Sequence, residues 1–263
     1  MKRHTKFLII NLFISVVILT ACDEKEKHIP GNLQFYETYS TSDISNQWNQ
    51  AIIVSESEEV KNQDLSSDNN SDTSEMGLPW EKANTQKGLS DYVKFPGYGV
   101  MGVMGFVSPE DKNTVDEILK RKDILSLFPE DIKFMWSLNL EKLNNNSKEM
   151  FFMLYACKIP ESGKADVNGS HIETNGAWIE SGENGKLIVQ LKMTPEGSDA
   201  WGKMTTKNVK RTIAITMDNV VYSAPTVINP ITSGDTQISG VFTWEEANEL
   251  CERLNSFSSN KKL

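Results

Sequence analysis

Residues 186–254 read KLIVQLKMTPEGSDAWGKMTTKNVKRTIAITMDNVVYSAPTVINPITSGDTQISGVFTWEEANELCERL, and this stretch decides the fold. Apolar and polar residues alternate from Leu187 to Met193, which predicts a strand with one buried face. Thr194-Pro195-Glu196 supplies a capping oxygen, a first-turn proline and a carboxylate, so a helix is predicted to start there. Asp218-Asn219 separates two apolar runs and predicts a two-residue hairpin turn. The stretch therefore predicts a compact α+β unit.

Two predicted helices in this stretch each carry one apolar stripe. The first stripe contains Ala200, Trp201 and Met204. Thr243-Trp244-Glu245-Glu246 is a capping box, which predicts the start of the closing helix. The inner face of that helix is predicted to consist of Ala247, Leu250, Cys251 and Leu254.

Upstream of this stretch, the sequence predicts further short strands and helices. Pro160 to Gly185 is rich in glycine and is predicted to be irregular. The loop from Asn229 to Gly240 is also predicted to lack regular structure. The other predicted elements are a strand at 33–39, a helix from Thr41 or Ser42 to about Val54, a strand ending at Val107, a helix starting at Ser108, a short helix at 124–128, and strands at 132–136 and 150–159.

Several motifs resemble one protein family. LKMTPEGSDAW at 191–201, IAITMDNVVYSAPTV at 213–227 and ITSGDTQISGVFTWEEANEL at 231–250 are similar, in order and spacing, to the head of the first large extracytoplasmic domain of SecD and SecDF. These proteins are membrane accessory subunits of the bacterial protein-export machinery. GFVSPEDKNTVDEILKRKDILSLFPEDIKFMW at 105–136, LYACK at 154–158 and LQFYETYSTSDI at 33–44 resemble the SecDF form found in Bacteroidetes-like bacteria.

The resemblance implies a fold class and a domain organisation. The fold class is α+β, with small mixed or antiparallel sheets, helices packed on one face, a ferredoxin-like base fragment and a SecD-type head. Because the base is incomplete, we expect its sheet to close differently or to borrow a strand. The expected segments are a signal peptide at 1–21, a tether at 22–32, a base-like region at 33–149 with a disordered acidic insertion at about 55–77, the head at 150–257 and a polar tail at 258–263.

The first residues have the pattern of a bacterial lipoprotein signal. Met1–Lys6 is basic, Phe7–Leu19 is almost entirely apolar, and Leu19-Thr20-Ala21-Cys22 resembles a lipobox. In this interpretation Cys22 carries the acyl chains, palmitate among them, and holds the protein on the extracytoplasmic side of the inner or the outer membrane. The alternatives are an ordinary signal peptide and an uncleaved anchor helix.

The overall charge excludes some partners. The 263 residues carry a formal net charge of −9, which opposes adsorption to nucleic acid. The sequence also has no basic stripe with interleaved aromatic residues. We therefore expect no nucleic-acid binding.

The sequence gives little support for an enzyme. His4, His28 and His171 do not have metal-ligand spacing, and no serine lies in a nucleophile elbow. We therefore expect no catalytic residue, metal site or cofactor, and a hydrolase is a distant alternative. Cys157 and Cys251 either form a disulfide or remain two buried thiols, and the second alternative is preferred.

The candidate functional surface is the loop from Asn229 to Gly240, since functional residues concentrate in exposed loops. A purely structural turn is the alternative. Trp178, Trp201, Trp244, Tyr222 and Phe242 are further apolar contact candidates, although most such residues fill cores. The candidate partner-binding residues of the loop are Ile231, Ser233, Gly234, Asp235 and Gln237.

The sequence therefore predicts a non-enzymatic, lipid-anchored envelope protein with a SecD-like head. It would bind unfolded polypeptide or translocon subunits in support of protein translocation, without proton coupling of its own. The alternative is a structural or regulatory envelope lipoprotein that kept the fold but not the export role.

Overall fold

The computed structural model describes residues 32–57, 87–95, 102–143, 147–182, 185–240 and 242–259. The predicted signal peptide, the lipidated Cys22, the tether, most of the acidic insertion and the last four residues of the polar tail lie outside these ranges. The beginning of the predicted insertion is helical, because the helix that starts at Ser45 continues to Glu56.

Within the described ranges the chain forms strands and helices in a mixed order, which confirms the α+β class. The helices are α1 Ser45–Glu56, α2 Leu89–Tyr92, α3 Lys112–Lys120, α4 Lys122–Leu125, α5 Pro195–Lys207 and α6 Trp244–Ser259. The strands are β1 Leu33–Tyr39, β2 Val93–Lys94, β3 Val103–Val107, β4 Ile132–Ser137, β5 Glu141–Lys142, β6 Met150–Lys158, β7 Val167–Asn168, β8 Ile172–Ser181, β9 Leu187–Met193, β10 Ile213–Met217, β11 Val220–Ser223 and β12 Asp235–Ser239.

Five strands of the larger sheet form a closed ring in the order β1, β10, β11, β4, β6. Strand β6 pairs with β4 along one edge, while its other edge pairs with β3 and then with the end of β1, where Thr38 lies opposite Cys157. The ring is filled by one core cluster. Its members include Tyr36, Met135, Tyr155, Cys157, Ala214 and Val221.

The larger sheet combines strands of the predicted base with a hairpin from the predicted head. Strand β11 pairs in parallel with β4, and β10 pairs antiparallel with β1. The hairpin turn is the predicted one, since Asp218 and Asn219 both have positive φ, at 52° and 67°. The division at residue 150 stays a prediction, and the larger sheet takes strands from both sides of it.

The outer surface of the ring is covered by two further clusters. Helices α1, α3 and α4 pack over β4 and β6, where Trp48 and Ile118 contribute to the core. On the other side, Phe35 of β1 packs against Trp201 of α5, with ring centroids 5.1 Å apart. This second cluster also holds α6 and a three-stranded sheet in the order β12, β9, β8.

The capping signals of the head produce the predicted helix starts. Thr194 Oγ1 accepts the Gly197 N–H at 3.1 Å at the start of α5. At the start of α6, Glu246 Oε2 accepts the Thr243 N–H at 2.8 Å and Thr243 Oγ1 accepts the Glu246 N–H at 3.2 Å. These two reciprocal bonds form a capping box.

The prediction of an irregular segment from Pro160 to Gly185 is wrong, because β8 spans ten of its residues. Asn175 has a positive φ of 55°, and the pairing register shifts between Ile172 and Ala177. A Cβ on Gly176 would lie 2.9 Å from the Lys192 carbonyl oxygen. The Asn-Gly pair that resembles a loop therefore forms an irregularity within a strand.

The prediction that the whole loop from Asn229 to Gly240 is irregular is also wrong. Residues Asp235–Ser239 form β12 and pair with β9. Thr236 and Ile238 are buried while their neighbours are exposed, so this short segment has the alternation of a half-buried strand.

The closed ring predicts a large destabilisation when the contact between β1 and the head is removed. Phe35 is fully buried, so Phe35→Ala should lower the free energy of unfolding by about 3–5 kcal/mol. Ile53→Ala is the control, because Ile53 is 59% exposed and should cost less than about 0.5 kcal/mol. Denaturant titration measures both. A loss below about 1 kcal/mol for Phe35→Ala would contradict the role given to β1.

Candidate functional site

The three-stranded sheet has one covered face and one exposed face. Side chains directly opposite each other in paired strands lie on the same face. Ile238, Val189 and Ile179 share the face that packs against α5 and α6. The residues between them point the other way. The exposed face, here called the outer face, is formed by Trp178, Glu180, Gln190, Lys192, Asp235 and Gln237.

Gln190 lies in the middle of the outer face, between Gln237 on one neighbouring strand and Trp178 on the other. The Trp178 side chain is 41% exposed. A tryptophan at this position presents a large apolar surface and a polar N–H group. Gln190 on the next strand and Gln237 on the strand after it carry amide donors and acceptors.

Glu180 orders the centre of the outer face. Its Oε1 accepts the Trp178 indole N–H at 2.9 Å, and its Oε2 accepts Gln190 Nε2 at 2.9 Å. One carboxylate therefore fixes two neighbouring side chains. Because these side chains are already held, less rotamer entropy is lost when a partner binds to them.

Charged side chains lie together at the end of the outer face where Lys192 and Asp235 are opposite each other. Lys192 Nζ lies 3.8 Å from Glu173 Oε2 in an exposed ion pair, an interaction that contributes little to stability. Asp235 is exposed and forms no ion pair with any residue that the structure describes. Asp235 lies directly opposite Lys192 in the pairing of β12 with β9, so Asp235, Lys192 and Glu173 together leave an excess of one negative charge.

The structure brings two of the five predicted partner-binding residues to the outer face, namely Asp235 and Gln237. The other three lie toward α5. The Ile231 N–H donates to Thr205 Oγ1 at 2.9 Å, and Ile231 packs against the head core. Gly234 is buried beside Ser198 and has a positive φ of 79°, a conformation that glycine adopts without strain. Ser233 accepts the Asp235 N–H at 3.4 Å.

The five aromatic contact candidates also divide between the outer face and other parts of the structure. Trp178 lies on the outer face, whereas Trp201 is buried. Trp244 is 59% exposed but lies at the start of α6. Tyr222 and Phe242 are half-buried against the head core. Only Trp178 of these five is therefore an exposed residue of the sheet.

Glu180 and Gln190 of the outer face are not among the residues that the sequence predicted for the site. Glu180 follows the alternation of β8, in which Ala177 and Ile179 point to the core on either side of Trp178. Gln190 follows the alternation of β9, between the buried Val189 and Leu191. The pattern around Trp178 is the signal that could have identified β8. The glycines in this segment indicated a loop and not a strand. The sequence predicts the strand that contains Gln190, but it does not show that β8 and β12 pair with that strand.

Among the described residues, no group of three or more histidine, cysteine, aspartate or glutamate side chains comes together to hold a metal ion. His171 has a structural contact, since its Nδ1 accepts the Asn168 N–H at 3.2 Å at a 3₁₀ turn spanning Gly169–His171. This part of the chain also contains no helix long and apolar enough to cross a membrane.

The structure does not join the two cysteines. Cys157 is a free thiol in the core of the closed ring, and Cys251 is a free thiol in the head core. Burial raises the pKa of Cys157 to about 12 and the pKa of Cys251 to about 11. Both thiols stay protonated near neutral pH, so neither is a nucleophile.

Comparison with known proteins identifies the head. Residues 158–258 match the family model of the SecDF P1 head subdomain. The protein translocase subunit SecD of Rhodothermus marinus is 31% identical over 160 residues, covering 61% of this chain and 24% of the relative. SecD of Dictyoglomus turgidum is 37% identical over 96 residues, covering 36% of this chain and 24% of the relative. These findings confirm the resemblance to the first extracytoplasmic domain of SecD and SecDF.

Solved structures of SecDF are also similar to part of the chain. One, described as a membrane component that enhances protein export, is 24% identical with a TM-score of 0.34, covering 63% of this chain and 60% of that structure. SecDF from Thermus thermophilus, described as translocon-associated, is 32% identical with a TM-score of 0.30, covering 36% and 13%. The chain spans about a quarter of the length of the two curated relatives above.

The free thiols predict a simple chemical result in the Cys22→Ala variant, which leaves Cys157 and Cys251 as the cysteines. At pH 8 the raised pKa values keep the thiolate fractions on the order of 10⁻⁴ to 10⁻³. The native protein should therefore not react with Ellman's reagent, and the denatured protein should release two equivalents. If the protein denatured without reductant released none, the two cysteines would form a disulfide.

Proposed function

We propose that the outer face binds extended polypeptide in support of protein translocation, on the extracytoplasmic side of a membrane to which Cys22 is lipid-anchored. The observation that carries this proposal is the exposed Trp178 on an ordered sheet face, held by Glu180. An unfolded chain displays apolar side chains and unpaired amides. The indole of the outer face can contact the apolar side chains, and the glutamine amides can form hydrogen bonds with the unpaired backbone amides.

The shape of the outer face favours an extended partner. Three neighbouring strands form a nearly continuous surface, and its centre consists of Gln237, Gln190 and Trp178 side by side. Aromatic residues and amides can contact many different side chains, because neither requires one matching shape. Such a surface suits clients of unrelated sequence better than a deep pocket does.

The comparisons support the translocation role. The relatives are SecD translocase subunits, and a matched structure is described as enhancing protein export. Residues 158–258 of this chain match the SecDF P1 head subdomain. The proposed role uses binding alone, and proton coupling is not part of it.

Removing the indole should weaken polypeptide binding. Trp178→Ala should lower the affinity for reduced and carbamidomethylated lysozyme, a permanently unfolded probe, about tenfold or more, as expected for a central tryptophan. Fluorescence anisotropy of the labelled probe at 150 mM salt measures this. Trp244→Ala is the matched control, because it removes an even more exposed tryptophan from α6 and should change the affinity less than twofold. Equal affinities for Trp178→Ala and the wild type would contradict the proposed function.

The lipid anchor predicts a second result. In cells labelled with radioactive palmitate, the wild type should incorporate the label and stay with the membrane pellet after sonication. Cys22→Ala should lose the label, because the only proposed acylated thiol is gone. Cys251→Ala is the control and should keep the label. Full labelling of Cys22→Ala would overturn the anchor.

A further inference from the structure

The two edges of the three-stranded sheet differ in whether their outward-pointing backbone groups are hydrogen-bonded. Strand β8 forms one edge and β12 forms the other. At the β8 edge, the Ala177 N–H donates to Asn255 Oδ1 at 3.0 Å, and Asn255 Nδ2 donates to the Ala177 carbonyl at 2.9 Å. The Asn255 side chain therefore satisfies both backbone groups of Ala177, as a neighbouring strand would.

The direction of the backbone groups in β12 follows from one hydrogen bond. The Met193 N–H donates to the Gly234 carbonyl at 2.9 Å. Hydrogen-bonded and non-hydrogen-bonded pairs alternate along antiparallel strands. Thr236 and Ile238 therefore bond to β9, whereas the N–H and C=O groups of Gln237 and Ser239 point away from the sheet.

These outward-pointing groups have no partner strand. Strand β12 pairs only with β9 in the part of the chain that the structure describes, and no described residue makes a hydrogen bond to the backbone of Gln237 or Ser239 on the outer edge. Proteins usually protect such an edge with a proline, a lysine or a covering element. Strand β12, with the sequence DTQIS, contains neither residue.

Space for another strand lies beside one end of β12. A cleft of about 410 Å³ is bounded by Ser239 and Gly240 on one side and by Tyr222 and Ser223 of β11 on the other. Glu141 also lines the cleft, and Asp235 lies at the far end of β12, opposite Lys192 of β9. Because Glu173 also lies beside Lys192, carboxylates outnumber the ammonium group near this edge, which favours a segment with basic residues.

We propose that an extended polypeptide segment carrying basic residues adds to the head sheet as a fourth strand along β12. This proposal rests on the proposed function and adds a second contact for the same polypeptide at the β12 edge, which β9 separates from Trp178 on β8. The main-chain bonds of strand addition do not depend on side-chain identity, which suits clients of unrelated sequence. A basic side chain opposite Asp235 pairs with its carboxylate and fixes the register.

Three variants of the full-length chain test the edge. Gln237→Pro removes an outward N–H and keeps the bonds to β9, since a proline is tolerated at an edge strand. Ser181→Pro is the matched control, because the Gly182 N–H bonds to the Lys186 carbonyl and Ser181 therefore points to the free edge of β8. Gln237→Ala changes the side chain alone. Affinity for the unfolded lysozyme probe should fall at least tenfold further in Gln237→Pro than in Gln237→Ala, which measures the loss of the side chain by itself, and it should fall less than twofold in Ser181→Pro.

Amide hydrogen exchange gives an independent test that needs no variant. Adding the unfolded probe should slow exchange at Gln237 and Ser239 at least tenfold. The amides of Ile179 and Ser181 on the other edge should not change. This alternating pattern is specific to strand addition, and a probe that binds by side-chain contacts alone would not produce it.

The outcomes separate the two proposals. If the wild type does not bind the probe, the proposed function fails. If Trp178→Ala weakens binding while Gln237→Pro does not and the exchange rates stay the same, the edge proposal alone is overturned. If the wild type is a dimer in sedimentation equilibrium and Gln237→Pro is a monomer, the β12 edge pairs with a second copy, which also overturns it.

Discussion

The pairing of β1 is the constraint on which the rest of the structure depends. This strand lies between β10 and the end of β6, so it closes the ring of five strands. Its alternate residues serve two cores, because Tyr36 points into the ring and Phe35 points to the head, where it meets Trp201. One strand of seven residues thus contributes side chains to two core clusters.

This arrangement leaves the head sheet with one free face. Its covered face packs against α5 and α6, and these helices are in turn held to β1 and β10 through the shared core. The outer face therefore sits on a rigid support without being needed for packing. The outer face can therefore be ordered by Glu180 and still keep Trp178 exposed.

Local signals made much of the fold predictable. The caps at Thr194 and Thr243 and the turn at Asp218-Asn219 depend on a few neighbouring residues, and all three are formed as predicted. The closure of the ring depends on long-range pairing, which no local pattern encodes. Strand β8 was missed because Asn175-Gly176 resembles a turn, although tertiary pairing keeps it in a strand. For the same reason the sequence predicted only part of the outer face. Asp235 and Gln237 were predicted site residues, but β8, the strand that places Trp178 on the same face, was not predicted.

The most direct test of the account is site-specific photocrosslinking in cells during protein export. A photoreactive amino acid at Gln190, in the centre of the outer face, should crosslink to many exported proteins in transit. The same group at Lys203, on an exposed position of α5, should not. Crosslinking that is equal at both positions, or that gives one folded envelope partner from Gln190, would contradict the claim that this face binds extended polypeptide.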